Sequence, residues 1–271
     1  MLAPMATKDR EKHGGMNVAP VAAPGDVILV TGGGRGIGAA TARLAAQRGY
    51  AVAINYLANA EAAERVVLEI RSAGGTAIAI AADISREVEV RRLFESVDRE
   101  LGRIAVLVNN AGIVDRQMRV DAMRESRVVR MFAVNVVGSF LCAREAILRM
   151  SPRHGGRGGA IVNVSSAAAR LGSPGEYVDY AASKAAIDTL TLGLAKEVAA
   201  ESIRVNAVRP GIIDTEIHAD GGDPERVRHI SAALPLGRAG RAHEVAHAIL
   251  WLASPESSYC SGTILDVAGA R

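Results

Sequence analysis

From Asp26 onward, short runs of β-branched and aliphatic residues alternate with stretches whose apolar positions recur every three to four residues. Brief apolar runs bounded by turn residues read as strands buried on both faces, and the longer period reads as helices with one face on a core. The pattern predicts strands near 27–31, 51–55, 76–80, 104–109, 160–164, 203–208 and 263–267, with helices between them. About seven strands spaced by helices and Gly-rich turns describe an α/β fold, a doubly wound parallel sheet joined by right-handed crossovers. Ligands of such a sheet bind outside the carboxyl ends of the strands. Residues 1–24 carry Ala, Pro, Gly and charge without periodicity and are expected to form a flexible N-terminal extension, leaving 25–271 as a single domain. From about Ile213 to Gly240 the rhythm breaks around Gly221-Gly222-Asp223-Pro224, which reads as a mobile lid or a plain surface insertion.

Composition narrows the core and the partners. Apolar residues make up 49% of the 271 positions but aromatic ones only 3%, so the core must be built from Ala, Val, Ile and Leu. The sequence pI of 9.1 suggests nucleic acid, yet the formal net charge is only +3 and basic residues alternate with acidic ones along the helices. No nucleic-acid partner is expected. Cys142 and Cys260 are far apart and form no CxxC, which argues against a disulfide framework or a zinc module. No apolar run reaches membrane-spanning length and no signal core precedes the first strand, so a cytoplasmic protein without a membrane partner is expected.

Thr31-Gly32-Gly33-Gly34-Arg35-Gly36-Ile37-Gly38 follows the first strand and opens a helix running to about Arg48. Glycines let the backbone approach a pyrophosphate, whose charge the helix N-terminus favours. Placed between strand and helix at the first crossover, this stretch predicts a dinucleotide site of Rossmann type, with Thr31, Gly32, Gly34, Arg35, Gly36, Ile37 and Gly38 at the phosphates. The second strand ends in Asn55-Tyr56, where an NAD-selective site would place a carboxylate against the ribose 2′-hydroxyl. The acid is missing, and Arg35 could meet a 2′-phosphate instead or point to solvent; NADP(H) is favoured and NAD(H) left open. Asp83-Ile84 after the third strand could accept from and donate to an adenine edge, with a helix N-cap as the competing role of Asp83 or Ser85. Asn109-Asn110-Ala111-Gly112 after the fourth strand could seat a flat ring on its backbone or form a tight turn.

Tyr180-Ala181-Ala182-Ser183-Lys184 puts a phenol and an ammonium one helical turn apart, on one face. A tyrosine acting as a base near neutral pH must be shifted by roughly three units, about 4 kcal/mol, which a lysine about 4 Å away supplies at an effective dielectric near 20. The pair suits proton exchange with a hydroxyl that becomes a carbonyl, or the reverse. An ordinary surface pair is the alternative.

Jointly, Thr31-Gly32 to Gly38, Asn109 to Gly112, Asn135, Ser165-Ser166, Tyr180 to Lys184 and Pro210-Gly211 resemble the classical short-chain dehydrogenases/reductases over about residues 26–269. The resemblance implies that Tyr180 exchanges the proton, that Lys184 lowers its pKa and holds the nicotinamide ribose, that Ser166 polarises the carbonyl, and that Asn135 holds a water linking Lys184 to solvent. Asn110, Ala111 and Gly112 would back the cofactor, with Pro210, Gly211, Ile213 and Thr215 at its carboxamide and phosphate. The family's serine stands thirteen residues before the tyrosine; here the spacing is fourteen, implying a loop longer by one through Gly172-Ser173-Pro174-Gly175. Homotetramers, built through the helices near 127–150 and 177–200 and the last strand, are implied as well. The substrate, an alcohol or carbonyl compound, stays open between polar molecules such as sugars or hydroxy acids and a 3-oxoacyl thioester. A catalytically silent, dinucleotide-binding regulator on the same fold is the alternative reading.

One motif argues for other chemistry. His243-Glu244-Val245-Ala246-His247 matches the H-E-x-x-H of zinc proteases. No histidine follows His247, and the segment continues as the apolar stripe of a core helix, so no metal site is assigned.

Overall fold

Strand β1 (Val27–Val30) is wholly buried, and its alternation divides the molecule's interior in two. Val27 and Leu29 join one apolar cluster, Ile28 and Val30 the other, one on each face of the sheet. Each such side chain contributes about 1.5–3 kcal/mol on leaving water. The computed structural model describes residues 22, 23, 25–216, 221, 222 and 226–271. The expected extension over 1–24 lies outside these apart from Ala22 and Ala23, as do His218, Asp220, Asp223 and Glu225 of the expected lid.

After β1 come α1 (Gly36–Gln47), β2 (Ala51–Tyr56), α2 (Ala60–Ser72), β3 (Ala77–Ala81), α3 (Glu87–Glu100) and β4 (Ile104–Asn109). The second half runs α4 (Glu125–Phe132), a π-helical turn (Ala133–Val137), α5 (Gly138–Met150), β5 (Gly159–Val164), α6 (Ala168–Leu171), α7 (Val178–Glu197) and β6 (Ile203–Pro210). Short strands β7 (Ile213–Asp214) and β8 (Gly240–Arg241) flank α8 (Arg226–Ser231), and α9 (Ala242–Ala253) leads to β9 (Ile264–Val267). Seven strands pair in the order β3-β2-β1-β4-β5-β6-β9, every neighbour parallel. The order reverses between β1 and β4, so the loops after these two strands diverge to opposite faces and open a crevice at their carboxyl ends.

Helices α1, α2 and α9 cover one face and α3, α5 and α7 the other. Small side chains allow close approach: Ala39, Ala42 and Ala45 of α1 are buried beside Val245, Ala246 and Ile249 of α9. Arg204 on β6 fastens this side, its guanidinium donating to the carbonyls of Leu252 (2.7 Å), Ala253 (3.1 Å) and Ser254 (3.0 Å), which are the free acceptors at the end of α9.

The expectation that no segment reaches membrane-spanning length is corrected. The continuous helical run Glu125–Met150 is long and apolar enough by composition. One side of it is spent on the protein's own interior, where Met131, Asn135, Cys142, Ala146 and Met150 are buried. Three of the polar residues that interrupt it in sequence, Arg127, Asn135 and Arg144, find partners within the fold.

Candidate active site

At the crevice the glycine-rich loop is packed against itself. Gly32 has φ +62°, and a Cβ there would stand 2.9 Å from the Ala111 Cα. At Gly38 a Cβ would overlap the Gly32 carbonyl oxygen and come within 2.5 Å of Asn110 Nδ2. Only glycine lets the start of α1 sit this close to the ends of β1 and β4. Gly34 faces the Ala63 backbone, and Gly36, at φ +50°, lies against the Thr215 methyl. The buried Thr31 hydroxyl donates to Val108 O (3.3 Å) and accepts from the amides of Asn110 and Ala111, both at 3.0 Å. Asn110 Nδ2 returns to the carbonyls of Thr31 (2.9 Å) and Gly32 (3.0 Å). Loop and helix start thus form a fixed cradle with the N-terminus of α1 behind it, and the exposed Arg35 stands at the N-cap position with Ile37 one turn inside.

Asn55 is buried at 2% exposure. Its Oδ1 accepts from the Gly32 amide (3.4 Å) and its Nδ2 donates to the carbonyls of Ala82 (3.0 Å) and Tyr56 (3.2 Å). The side chain braces the glycine loop against the end of β3, while Tyr56 beside it is half-buried. Asp83 Oδ1 accepts from both the amide (2.9 Å) and the hydroxyl (2.7 Å) of Ser85. The expected N-cap role for Asp83 or Ser85 is corrected, because α3 starts four residues beyond Asp83, with Arg86 at the cap position. Ile84 turns its side chain inward onto Gly138.

Further along the crevice, Tyr180 and Lys184 rise from the first turns of α7 beside the end of β5. The Ser165 hydroxyl is buried and donates to Lys184 O (3.1 Å), whereas the Ser166 hydroxyl accepts from the Ala168 amide (3.1 Å) and is hydrogen-bonded to Tyr180. The alternation of β5 therefore leaves Ser166 as the hydroxyl at the phenol. Lys184 Nζ donates to Val164 O at 2.8 Å and sits 5.7 Å from the centre of the Tyr180 ring. Burial pulls its pKa down to about 8, opposed by the Asp188 carboxylate one turn on. Burial raises the Tyr180 pKa, and its hydrogen bond to Ser166 opposes that rise. Both groups are enclosed by the same apolar walls, which disfavour either charge.

Asn135, fully buried in the π-helical turn, accepts from the Ile113 amide (2.8 Å) and donates to Ile113 O (3.0 Å) and Ser183 Oγ (3.0 Å). Its carboxamide and the Lys184 ammonium converge on Gly112, where a Cβ would stand 3.3 Å from each. Pro210 O accepts from the Ala167 amide (2.9 Å), and Gly211 leaves no room beside Ala268. Ile213 is buried, and the Thr215 hydroxyl faces Ile213 O at 3.5 Å.

These residues share an open cleft. Ile37, Asn110, Gly112, Ser166, Tyr180 and Lys184 line one part of it with Pro210, Gly211, Ile213 and Thr215. Asn55 and Asp83 are not among its lining residues. The other part is walled by Val114, Ala168, Leu171, Tyr177, Ile212 and Arg271, none of which sequence reasoning assigned to the site. Apolar residues in loops and in a single short helical turn carry no signal of their own.

The H-E-x-x-H helix is α9. Glu244 accepts from the Arg238 guanidinium (2.7 and 2.8 Å) and the Arg241 amide (2.7 Å), contacts that hold its pKa down to about 2 and cap the helix. His243 and His247 meet edge to face with ring centres 6.4 Å apart. Among the described residues no three potential metal ligands cluster.

Comparison with known proteins places this geometry. Residues 32–269 match a family model described as enoyl-(acyl carrier protein) reductase. The uncharacterized oxidoreductase YgfF of Escherichia coli (strain K12) is 56% identical over 245 residues, 90% of this chain and 99% of that protein. A 3beta-hydroxysteroid dehydrogenase 1 of Eggerthella lenta is 39% identical over 90% of this chain and 93% of its own length. The crystal structure of a short-chain dehydrogenase from Burkholderia cenocepacia J2315 in complex with NADP superposes with a TM-score of 0.80 at 38% identity, covering 91% of this chain and 97% of that one. A seven-stranded parallel sheet whose first crossover holds a glycine cradle and whose fifth strand and following helix bring serine, tyrosine and lysine together is thus found in a chain that belongs to the short-chain dehydrogenase/reductase family, oxidoreductases acting on hydroxyl or carbonyl groups with a nicotinamide dinucleotide.

Proposed function

We propose that this protein is an NADP(H)-dependent reductase or dehydrogenase that interconverts an alcohol and a carbonyl, with Tyr180 as the proton donor and acceptor. The observation that carries the reading is that Ser166, Tyr180 and the buried Lys184 line one cleft at the open end of the glycine cradle. The cradle fits a dinucleotide because the positions a phosphate must approach are those where a Cβ would collide. Bound there, the nicotinamide ring supplies or accepts the hydride.

The chain's own part is proton handling and orientation. The Ser166 hydroxyl holds the substrate oxygen beside the phenol, and in reduction Tyr180 delivers its proton to that oxygen. With a pKa near 8, Lys184 stays largely protonated at neutral pH, so its positive charge favours the phenolate left behind. Support for Asn135 in the relay is its convergence with Lys184 on Gly112. Arg35 at the mouth of the cradle supports NADP(H) over NAD(H). The walls formed by Val114, Ala168, Leu171 and Ile212 favour a medium-sized, mostly apolar substrate over a sugar. The exposed Val129, Val137, Phe140, Leu148 and Leu192 on α4, the π turn, α5 and α7 support a homotetramer joined through those helices.

The test is a titration of the purified protein with NADPH and NADH in one buffer, followed by a screen of carbonyl compounds with the tighter cofactor. Tighter NADPH binding that weakens in R35A is expected. Tighter NADH binding would overturn the cofactor preference, and no binding of either would overturn the proposal.

A further inference from the structure

Beneath the substrate side of the cleft lies a buried ion pair that the proton-transfer reading does not use. Arg127 on α4 and Asp179 on α7 are 52 positions apart, and their side chains are 8% and 2% exposed. Arg127 Nε donates to Asp179 Oδ2 at 2.7 Å and Nη2 to Oδ1 at 3.2 Å, a bidentate fork. The third nitrogen, Nη1, donates to Arg116 O at 2.6 Å. The Asp179 hydrogen bonds are the largest influence on the guanidinium and raise its pKa, so it is fully charged at any working pH. Asp179 immediately precedes Tyr180. Arg116 belongs to the loop 113–118 that carries Val114 into the cleft, and the same loop is pinned a second time where the Met118 amide donates to Glu176 O at 2.9 Å. The Arg116 side chain packs on Gly222, whose neighbour Gly221 accepts from the Tyr177 hydroxyl at 3.4 Å.

From this we infer that Arg127 and Asp179 are positioning residues for the substrate, tying the wall formed by loop 113–118 to the helix start that presents Tyr180. A single planar guanidinium bonds both partners at once, so Val114 and the phenol are held in one frame. A buried fork of this kind is a costly way to add stability alone, because two charges must be stripped of water. It also supplies what catalysis requires, a fixed distance between the group that orients the substrate and the group that protonates it. The inference rests on the reading of Tyr180 as the proton donor, and it predicts that the fork acts on substrate capture and not on the cradle.

The experiment compares R127K and R127M with the wild type by NADPH titration, steady-state kinetics on a carbonyl substrate, thermal melting and hydrogen exchange of residues 113–118. Lysine keeps a charge opposite Asp179 but cannot bond Asp179 twice and Arg116 O together. R127K is expected to melt near the wild type and bind NADPH within about twofold. Its kcat/KM should nevertheless fall by about tenfold to a hundredfold, mainly through KM, with faster exchange at 113–118. R127M should show the same kinetic loss with a lower melting temperature. Wild-type KM and exchange in R127K would overturn the inference, as would losses in both variants that follow melting temperature alone. If the wild type binds NADPH but turns over no carbonyl, the proton-transfer reading has failed. Exchange at 113–118 then still decides whether the fork holds the loop.

Discussion

The two halves of the cleft are held by different means. On the cofactor side the ties are short in space and made by backbone or by small side chains: the Thr31 hydroxyl, the Asn110 amide and two glycines, Gly32 and Gly38, close the loops after β1 and β4 onto each other. On the substrate side, loop 113–118, Tyr177 and the turn at Gly221 are joined by a guanidinium, a phenol and one backbone bond. The first arrangement admits almost no substitution and suits a ligand that does not vary. The second leaves the lining residues free to change while the frame stays in place, which is how one fold serves many substrates. The proposed proton transfer falls where the halves meet, at Ser166, Tyr180 and Lys184.

Removing the phenol breaks that meeting point most severely. Y180F should lower kcat by about a thousandfold, within the range for loss of a general acid–base group, while NADPH affinity stays within a few-fold because the cradle is untouched. Single-turnover kinetics with NADPH and fluorescence titration measure the two quantities separately. Turnover close to wild type would remove Tyr180 from the chemistry.

A matched pair of glycine variants tests the contrast itself. In G38A the new methyl meets the Gly32 carbonyl and Asn110 Nδ2, neither of which can move without opening the loop. A loss of about 3 kcal/mol in stability is expected, with NADPH binding severely weakened. In G222A, at φ +85°, the methyl meets only the flexible Arg116 side chain at 3.3 Å. There the cost is about 1 kcal/mol of backbone strain, and NADPH affinity should stay within twofold. Urea unfolding and cofactor titration on both proteins decide the matter; equal loss of NADPH affinity in the two would dissolve the distinction.

The same division governs what the sequence disclosed. All seven strands of the main sheet were legible because each is a short aliphatic run, buried on both faces in the interior of the sheet and partly so at the edge strands β3 and β9, and the cradle and the Tyr180–Lys184 turn were legible because their geometry is local. The Arg127–Asp179 fork was not, since nothing in either neighbourhood marks a partner 52 positions away. The cap role left open for Asp83 or Ser85 falls instead to the position of Arg86, because local sequence does not mark which polar residue of Asp83 to Arg86 the first turn of α3 follows. The burial of the Tyr180 phenol was hidden for a related reason: spacing reveals that a lysine is near, but the walls that enclose the ring are contributed by β5, α6 and the loop after β6.

Asn55 sharpens the comparison at the border of the cradle. The sequence placed it against the cofactor ribose, whereas its amide braces Gly32 and the end of β3. N55D keeps the shape but cannot donate to Ala82 O and places a charge where a carbonyl now accepts a bond. It should cost about 1–3 kcal/mol without creating NADH selectivity. A variant with unchanged stability and a gain in NADH affinity would put Asn55 on the cofactor instead.

The smallest expected effect isolates the burial of Lys184. Its folded-state pKa is about 8, against 10.5 for the free group. Below pH 8 both folded and unfolded chains carry the proton, and the fold bears the full cost of burying a charge. Between pH 8 and 10.5 the unfolded chain binds more protons at this position than the folded one, so stability rises with pH. K184M carries no such group and should lack this rise. From pH 7.5 to 9.5 the cofactor-free wild type should therefore gain about 1–2 kcal/mol relative to K184M, read from urea midpoints at equal slope. The window stops short of pH 10 for a reason found in the neighbouring residue. Burial also raises the Tyr180 phenol, which keeps its proton in the fold while the unfolded phenol loses it, so that above pH 10 the contribution of Tyr180 runs the opposite way. Parallel curves for wild type and K184M across the window would mean that the ammonium is not desolvated in solution, and that Lys184 meets water before any cofactor arrives.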